Sequence, residues 1–248
     1  MLSKSQISFI KSLHQKKYRK EHGIFIIEGF KSLLEIIPSH YNLDSIYYVA
    51  EYKSLMPTLP SNIKLFEVNN AELEKISTLQ TPQGILALVK QPKATPLDPE
   101  VLKNCFSIVL DGVQDPGNLG TIIRTADWFG FKNIICSLNT ADVYNPKTIQ
   151  ATMGSLPRVN VFYEDLSLVL PKVQVPIYGA LLEGKSIYKT DFGTEGLLIL
   201  GNEGQGISAA VINFIQQPVT IPRIGKAESL NVAISAGIFC AEISRNII

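Results

Sequence analysis

Short apolar segments that alternate with helical ones are the feature that most limits the possible folds of this chain. A strand buried on both faces reads as a nearly continuous apolar run. Such runs occur in the second half of the chain at FSIVLDG (106–112), KNIICS (132–137), PRVNVFY (157–163), VPIYGALL (175–182), LLILGNEGQG (197–206) and PVTIP (218–222). Helical patterns separate several of them. The alternation predicts an α/β domain with a parallel sheet covered by helices on both faces.

The first 90 residues predict a second, smaller α/β domain. A helix is expected at FKSLLEII (30–37), and Asn70 is expected to cap another short helix. The predicted strands are IFIIEG (24–29), SIYYVA (45–50), IKLFEV (63–68) and GILALVK (84–90). The stretch QPKATPLDPE (91–100) contains three prolines and little apolar content, as linkers do. The predicted organisation is an N-terminal domain at 1–92, a linker at 93–104 and a second domain at 105–248.

Composition excludes several classes of protein. The chain has 248 residues, of which 46% are hydrophobic, and a net charge of +1, so overall charge identifies no partner. Cys105, Cys136 and Cys240 are far apart, and all three histidines lie in the first 40 residues, so neither a metal site nor a disulfide framework is expected. Since no apolar run reaches membrane-spanning length and the N-terminus lacks a signal-peptide core, we expect a cytoplasmic protein with no membrane partner.

The N-terminal segment concentrates positive charge. Residues 1–31 contain seven basic residues and two acidic ones. Four of the basic residues lie together in the sequence, at Lys16, Lys17, Arg19 and Lys20. Such a cluster suits a phosphate-rich partner, although a solvated helix face has the same pattern.

Polar and glycine-rich residues follow three of the predicted strands. Ligands of parallel α/β sheets bind beyond the carboxyl ends of the strands, so these positions are candidate sites. They are LDGVQDPGNLGTIIRTADWFG (110–130), LILGNEGQGIS (198–208) and IPRIGKAESLNV (221–232). Taken singly, the polar residues of these segments have simpler explanations. In the first segment, for example, Asn118 could be a helix cap and Arg124 a surface charge.

The second of these segments resembles a dinucleotide-binding loop only superficially. Its glycines follow the spacing G-x-x-G-x-G, whereas the dinucleotide fingerprint is G-x-G-x-x-G. Glu203 lies inside the loop, where a carboxylate would repel a pyrophosphate. A nicotinamide-dependent enzyme is therefore a remote alternative.

Taken together and in order, the three segments resemble the SpoU family of RNA ribose methyltransferases, within the knotted SPOUT superfamily. The matching motifs are N-x-G-x-x-x-R-T-A at Asn118–Ala126, L-G-N-E-G-x-G at Leu200–Gly206 and I-P…S-L-N-V at Ile221–Val232. The resemblance covers about residues 106–243 and implies a C-terminal trefoil knot. IIEGFKSLLE (26–35) and TPQGILALV (81–89) resemble the small substrate-binding domain of many members, which is itself similar to RNA-binding ribosomal proteins.

The resemblance implies transfer of a methyl group from S-adenosylmethionine to a ribose 2′-hydroxyl in structured RNA, with ribosomal RNA favoured over transfer RNA. Such a reaction needs alignment of the reacting atoms and removal of the hydroxyl proton. The implied catalytic residues are Asn118, Arg124, Glu203, Ser229 and Asn231. The implied cofactor-binding residues are Gly179, Ala180, Leu181, Leu200, Gly201, Ile221 and Leu230. RNA would be contacted by Lys16, Lys17, Arg19, Lys20 and Arg124, with Tyr18 available to stack on a base.

Two assignments within the resemblance need physical argument. A guanidinium is a poor base, with a pKa above about 12, so we expect Arg124 to hold the phosphate beside the target ribose and to polarise its hydroxyl. Ser229 and Asn231 are expected both to cap the last helix and to act in the site.

Several alternatives stay open from the sequence alone. Transfer RNA is a second possible substrate, and a non-catalytic RNA-binding protein could share the fold. Base methylation is disfavoured, because no cysteine has the setting of a nucleophile and no D/N-P-P-Y/F turn is present. The family forms dimers through the knotted region, and Ile234, Ile238 and Cys240 of the last helix are available for a homodimer. The same helix could instead pack only in its own core.

Overall fold

Two units are distinguished in this computed structural model, which describes residues 1–245. Unit 1 contains Met1–Lys93 together with Asp142–Pro157, and unit 2 contains Ala94–Ala141 together with the chain from Arg158 onward. The sequence prediction had placed residues 142–157 in the second domain. The structure differs from it there, because this segment packs within unit 1.

The regular elements alternate along the chain much as the sequence predicts. In chain order they are α1 (Lys4–Ser12), α2 (Lys16–His22), β1 (Ile24–Glu28), α3 (Phe30–Ile36), β2 (Asn42–Tyr48), β3 (Lys64–Glu67), α4 (Asn70–Ile76), β4 (Ile85–Lys90), β5 (Phe106–Asp111), α5 (Pro116–Phe129), β6 (Asn133–Ser137), α6 (Pro146–Thr152), β7 (Asn160–Glu164), α7 (Leu166–Val169), β8 (Ile177–Ser186), β9 (Gly196–Gly201), α8 (Ala209–Ile212), β10 (Gln217–Thr220) and α9 (Val232–Arg245). Short 3₁₀ helices lie at Ala50–Leu55, Pro99–Leu102, Leu156–Arg158, Leu170–Lys172 and Ile187–Lys189.

Unit 1 is built on a four-stranded mixed sheet with the strand order β1-β4-β2-β3. Strand β4 is antiparallel to both β1 and β2, whereas β2 and β3 are parallel. The central strand β4 is buried at every position except its last residue, Lys90. The cap of helix α4 is Asn69 and not the predicted Asn70. Asn69 Oδ1 accepts a hydrogen bond from the backbone N–H of Glu72 at 2.9 Å.

The Glu72 carboxylate fastens the start of the chain to helix α4. It accepts hydrogen bonds from the backbone N–H groups of Leu2 at 2.7 Å and Asn69 at 3.2 Å. These bonds stabilise the ionised form and hold the pKa of Glu72 below its ordinary value of 4.5.

A pH-dependent contribution to stability follows from this lowered pKa. The contribution is fully present when the pH is above 4.5, the pKa of Glu72 in the unfolded chain. It is lost as the pH falls through the lower pKa that Glu72 has in the folded protein. We expect the free energy of unfolding of Glu72→Gln to lie below that of the wild type at pH 7, and the gap to narrow at pH 3. Denaturant unfolding at the two pH values measures it, with Glu74→Gln on the exposed side of α4 as control. A gap of equal size at both pH values would contradict this assignment.

Residues 142–157 belong to the core of unit 1. The Asp142 carboxylate pairs with the buried guanidinium of Arg19 at 2.6 Å. The ring of Tyr144 lies 4.6 Å from that of Phe25, centroid to centroid. A buried charge is costly unless it is paired and hydrogen bonded, so the pair fixes the start of this segment in one position.

Unit 2 contains a six-stranded sheet with the order β10-β8-β9-β5-β6-β7, and every neighbouring pair is parallel. The predicted parallel sheet is therefore confirmed. Strands β5 and β6 are buried along their whole length, as their apolar runs indicate. Chain order reverses between β5 and β9, where Asp111 lies beside Gly201 in the register. Ligands bind at such switch points, beyond the carboxyl ends of the strands.

Helices α5 and α9 pack against each other in unit 2. Helix α5 lies inside the first of the polar segments singled out in the sequence, and α9 begins at the end of the third. The threading of the chain around α9 into a trefoil knot stays a prediction of the resemblance, because strand order alone does not establish it. No helix in the described range is long and apolar enough to cross a membrane.

Candidate functional site

Three polar side chains from distant parts of the sequence form a hydrogen-bonded chain in unit 2. The Asn118 side-chain amide donates to Glu203 Oε1 at 2.7 Å. The Asn231 side-chain amide donates in turn to Asn118 Oδ1 at 3.0 Å. One residue comes from each of the three segments predicted to form a site. The fold therefore brings these segments together.

Local sequence leaves the Asn118 side chain available for this contact. Asp115 is the cap of α5, because its carboxylate accepts the backbone N–H of Asn118 at 2.8 Å, and Pro116 occupies the first helical position. The alternative that Asn118 is itself the helix cap is thus wrong. Asn118 lies in the first turn of α5 and points its amide at Glu203 instead.

The predicted capping of α9 is observed for Asn231 but not for Ser229, and the role of both residues in the site stays a prediction. Asn231 Oδ1 accepts the backbone N–H groups of Ala233 at 2.9 Å and Ile234 at 3.3 Å, and so caps α9. The amide nitrogen of the same side chain is left to contact Asn118. Ser229 makes no hydrogen bond to a residue within 1–245 and is exposed, so its predicted capping role is not observed.

The loop after β9 is shaped by Asn202, which the sequence analysis did not single out. Its side-chain amide donates to the carbonyl oxygen of Gly112 at 2.8 Å, and its Oδ1 accepts the N–H groups of Gly204 and Gln205 at 2.9 and 3.1 Å. This is the side-chain-to-backbone turn typical of asparagine. Its place directly after a strand and before two glycines was the signal that could have identified it.

Gly201 is required where β9 enters this loop. A Cβ at Gly201 would lie 2.2 Å from the carbonyl carbon of Gly206 and 2.3 Å from the backbone nitrogen of Ile207. No side chain can occupy that space without moving the backbone. Because Gly201 lies so close to Gly206 and Ile207, this part of the loop presents backbone groups and no side chain at its surface.

A cavity of about 660 Å³ opens beside this loop. Its volume lies within the usual range for small-molecule sites, about 300–1,000 Å³. Its lining comprises Ala180–Leu182, Leu200–Gly206, Thr220–Gly225, Ala227–Leu230, Val232, Ser235 and Phe239. The walls combine exposed backbone with apolar side chains, which suits a ligand with a flat ring and polar edges.

Most of the predicted cofactor-binding residues lie in this lining, and one does not. Those present are Ala180, Leu181, Leu200, Gly201, Ile221 and Leu230. Gly179 is buried against Ile215, where a Cβ would lie 2.4 Å from the Ile215 Cδ1 atom. The structure does not place Gly179 in the cavity, and its glycine is explained by this packing.

The five predicted catalytic residues occupy three different positions relative to the cavity. Glu203 and Ser229 line the cavity. Asn118 adjoins it through its hydrogen bond to Glu203, and Asn231 through its hydrogen bond to Asn118. Arg124 is exposed on α5 and makes no hydrogen bond or ion pair with any residue the structure describes. Its guanidinium is free to bind a group from outside the chain.

The predicted RNA contacts of the N-terminal segment need one correction. Lys16, Lys17 and Lys20 are exposed on or beside α2. Arg19 is only 1% exposed, and its guanidinium donates to the carbonyl oxygens of Leu13 and His14 and to Asp142. The structure contradicts a phosphate contact by Arg19, because its N–H donors are already used inside unit 1.

Tyr18 on the same helix is half-buried rather than freely exposed. Its ring stacks on that of His22, with centroids 6.5 Å apart, and the Lys17 ammonium lies 5.6 Å from its centroid. Stacking on a base stays a prediction for this ring.

The cysteines are unsuited to nucleophilic chemistry at this site. Burial raises the pKa of the Cys136 thiol and raises that of Cys240 to about 12, so neither forms a thiolate near neutral pH. Cys105 precedes β5, at the amino end of the sheet and not at the carboxyl edge beside the cavity. A mechanism through a covalent cysteine adduct therefore has no candidate here.

Comparison with known families agrees with this geometry. Residues 105–241 match the SpoU rRNA Methylase family. Residues 4–87 match the MRM3-like substrate binding domain. The first match contains all three segments that meet at the cavity, and the second lies in unit 1.

Relatives match nearly the whole chain. The 23S rRNA (guanosine(2553)-2′-O)-methyltransferase RlmP of Bacillus subtilis is 33% identical over 92% of this chain and 91% of its own length. Among solved structures, a Porphyromonas gingivalis protein assigned to the TrmH family of RNA methyltransferases is 38% identical, with a TM-score of 0.90 over 99% of both chains. An AdoMet-bound rRNA methyltransferase from Sinorhizobium meliloti is 28% identical, with a TM-score of 0.86 over 100% of this chain and 98% of its own. The chain belongs to the SpoU rRNA methylase family.

Proposed function

We propose that this protein transfers a methyl group from S-adenosylmethionine to a ribose 2′-hydroxyl of ribosomal RNA. The observation that carries the proposal is the convergence of Asn118, Glu203 and Asn231 beside a cavity of about 660 Å³. The Bacillus subtilis relative, similar along nearly its whole length, is a 23S rRNA 2′-O-methyltransferase. That name supports ribosomal RNA over transfer RNA as the substrate.

The cavity beside β9 suits S-adenosylmethionine, which supplies an electrophilic methyl group when bound. Leu181, Leu200 and Leu230 offer apolar surface for the adenine ring. The main-chain wall at Gly201, which no Cβ could share, offers N–H and C=O groups for the polar edge of the ring. Glu203 and Glu228 in the lining outnumber the single cation Arg223, and this excess of negative charge favours a cationic sulfonium.

The polar residues beside the cavity would position the RNA. Arg124, exposed and unpaired with any described residue, binds the phosphate next to the target ribose and polarises its hydroxyl. Asn118 holds the Glu203 carboxylate at 2.7 Å, so this acceptor faces the site in one orientation. Ser229 lies in the cavity lining with a hydroxyl available to the substrate. Lys16, Lys17 and Lys20 add phosphate contacts from unit 1.

A single methyl group at Gly201 is expected to weaken the binding of S-adenosylmethionine. Gly201→Ala places a Cβ 2.2 Å from backbone that cannot yield like a flexible side chain, so the loop must move. We expect the dissociation constant for S-adenosylmethionine to rise by at least about tenfold, or about 1.4 kcal/mol. Isothermal titration measures it.

Gly225→Ala is the matched control, because Gly225 also lines the cavity but a Cβ there would meet nothing within 4 Å. Its affinity should stay near that of the wild type. Equal affinities for the two variants would mean that the cofactor does not use this wall.

Methyl transfer to purified RNA tests the proposed function itself. Ribosomal and transfer RNA from a strain lacking the protein are incubated separately with methyl-labelled S-adenosylmethionine. Label in ribosomal RNA alone supports the proposal, and label in transfer RNA alone would replace the proposed substrate. Binding of RNA without transfer to either would identify a non-catalytic RNA-binding protein.

A homodimer is proposed through helices α5 and α9. Trp128 on α5 is 82% exposed and Ile234 on α9 is 56% exposed, although both are large and apolar. Exposed tryptophans are frequent at the centres of protein interfaces. Cys240, which was also expected at this interface, is fully buried, so it packs inside unit 2. Light scattering should give twice the chain mass, and a monomer at micromolar concentration would refute the dimer.

The cytoplasm is the proposed compartment, because the relative similar along nearly its whole length is a 23S rRNA methyltransferase of Bacillus subtilis. The cysteines support a reducing compartment, since Cys105, Cys136 and Cys240 are all free. Fractionation of cells with an antibody to the protein tests this placement. Recovery in a fraction without ribosomal RNA would contradict it.

A further inference from the structure

A second, smaller cavity lies in unit 1, and none of its lining residues belongs to the three motifs of the methylase family. Its volume is about 100 Å³. Ile26, Gly29 and Ile149 are buried and form its floor. The exposed residues around it are Lys31, Thr78, Gln83, Gln150 and Met153. The cavity thus has an apolar floor and a mainly polar rim.

Two separate stretches of the chain build this cavity. One side comes from residues 26–83, inside the match to the substrate binding domain at 4–87. The other side comes from α6 and the residue after it, through Pro146, Ile149, Gln150 and Met153. These residues lie within the range 105–241 that matches the methylase family. The substrate-binding unit is therefore completed by a segment that its own family match does not include.

The second stretch is firmly attached to unit 1. The buried Arg19–Asp142 pair fixes its start. At its other end a Cβ on Gly154 would lie 2.8 Å from the Glu35 Cγ atom, so the backbone at Gly154 packs directly on α3. The φ angle of +91° at Gly154 also favours glycine. The rim residues Gln150 and Met153 are held between these two attachments.

The chemistry of the cavity suits a single nucleobase. The amides of Gln83 and Gln150 can each donate and accept hydrogen bonds, as the edges of a base require. The Met153 thioether is polarisable and contacts aromatic rings favourably. A volume of about 100 Å³ is well below the range of about 300–1,000 Å³ for cofactor-sized sites, so a larger ligand would not fit.

The charges around the cavity suit the backbone of RNA. Lys31 is exposed on the rim. Lys147 precedes Gln150 by three positions on α6, so the side chains of Lys147 and Gln150 are neighbours on the surface of that helix. The Glu28 carboxylate also lines the cavity, but it accepts hydrogen bonds from the hydroxyls of Ser77 and Thr78 and from the Thr78 N–H at 2.8 Å. Glu28 therefore shapes the wall, while the lysines remain available to phosphates.

We propose that this cavity receives one unstacked base of the substrate RNA, and that residues 146–153 form one side of the base-binding site. Sequence-specific RNA recognition commonly takes bases that are splayed out of single-stranded loops. The proposal rests on the proposed function, since it assigns a second contact to the same RNA. In this proposal the rim residues determine which RNA is bound and take no part in methyl transfer. They are Lys31, Gln83, Gln150 and Met153.

The test compares two double variants that each remove one ammonium and one amide from exposed positions of unit 1. Lys31→Ala/Gln150→Ala changes the rim of the cavity. Lys64→Ala/Asn62→Ala makes the same chemical change outside the cavity, at and just before β3. Affinity for an in vitro transcript of 23S rRNA is measured by filter binding across a series of salt concentrations. We expect the rim variant to bind about tenfold more weakly, because it loses one phosphate contact and one hydrogen-bonding amide, and the control to bind like the wild type.

Crosslinking supplies a second readout that does not depend on a substitution. After ultraviolet irradiation of the wild-type complex, we expect nucleotide adducts on the tryptic peptides 148–158 and 76–90, which carry the two sides of the rim. Equal affinities for the two double variants overturn the proposal. Adducts confined to other peptides overturn it as well.

Failure of this proposal is distinguishable from failure of the proposed function. Both double variants should retain the wild-type affinity for S-adenosylmethionine, because neither alters unit 2. If the wild type methylates the transcript and the rim variant binds it normally, the base-binding cavity is refuted and the enzyme activity stands. If the wild type transfers no methyl group but the rim variant loses affinity, the activity is refuted and the cavity stands.

Discussion

Replacement of Arg124 by alanine is expected to reduce methyl transfer by about 10²–10³-fold, the usual effect of removing one charged or hydrogen-bonding group that acts on the transition state. The affinity for S-adenosylmethionine should be unchanged, because Arg124 is absent from the cavity lining. Folding should also be unchanged, since the side chain is exposed and has no hydrogen-bonding partner within residues 1–245. Single-turnover transfer and cofactor titration of the same preparation measure the two quantities.

Two further variants sharpen this prediction. Arg124→Lys keeps the charge but loses the planar fork that binds a phosphate in two places, so it should recover only part of the activity. Lys132→Ala removes an exposed charge after the end of α5 and should leave transfer unaltered. Full activity of Arg124→Ala would exclude the arginine from the reaction. Loss of cofactor binding would place it in the cofactor site instead.

Removal of the Asp142 carboxylate is expected to have the largest effect on stability. Asp142→Ala leaves the Arg19 guanidinium charged, buried and without its anionic partner, and the usual cost of breaking a buried pair in this way is about 3–5 kcal/mol. We expect residues 142–157 to lose their fixed position and their amides to exchange with solvent much faster. Hydrogen exchange at Ile149, whose N–H donates to the Asn145 carbonyl oxygen at 2.9 Å, reports this change.

An exposed ion pair in the same unit is the control. Lys53 lies 3.6 Å from Glu67, and their side chains are 69% and 51% exposed. Such pairs contribute about 0–1 kcal/mol, so Lys53→Ala should have little effect on exchange. If Asp142→Ala resembles Lys53→Ala, the buried pair does not hold this segment.

The sheet of unit 2 was predictable because its central strands β5, β6 and β9 are buried on both faces. A run such as FSIVLDG has few other stable placements than the centre of a covered sheet. The contact between Asn118 and Glu203 joins residues 85 positions apart, and that between Asn231 and Asn118 joins residues 113 apart. Composition and periodicity could not identify such contacts. The order of the three motifs, through the family resemblance, brought these residues into the predicted site.

The errors in unit 1 have a common physical cause. Arg19 lies among exposed lysines, and charge alone does not reveal which basic residue of a short helix turns inward. Its partner Asp142 is 123 residues away, in a segment that sequence order assigns to the other domain. Long-range pairing of this kind decided the position of Arg19 and the extent of unit 1.

Asn202 in unit 2 was overlooked for a simpler reason, since its turn was treated as part of a motif and not as a structure with its own hydrogen bonds.

Alkaline hydrolysis of methyl-labelled ribosomal RNA is the most direct test of the central claim. A 2′-O-methyl group prevents cleavage of the adjoining phosphodiester, because the neighbouring hydroxyl can no longer attack it. After transfer by the purified protein, label in an alkali-resistant dinucleotide is the result we predict. Label in ordinary mononucleotides would show that a base is methylated, and the assignment of ribose 2′-hydroxyl chemistry to this site would be wrong.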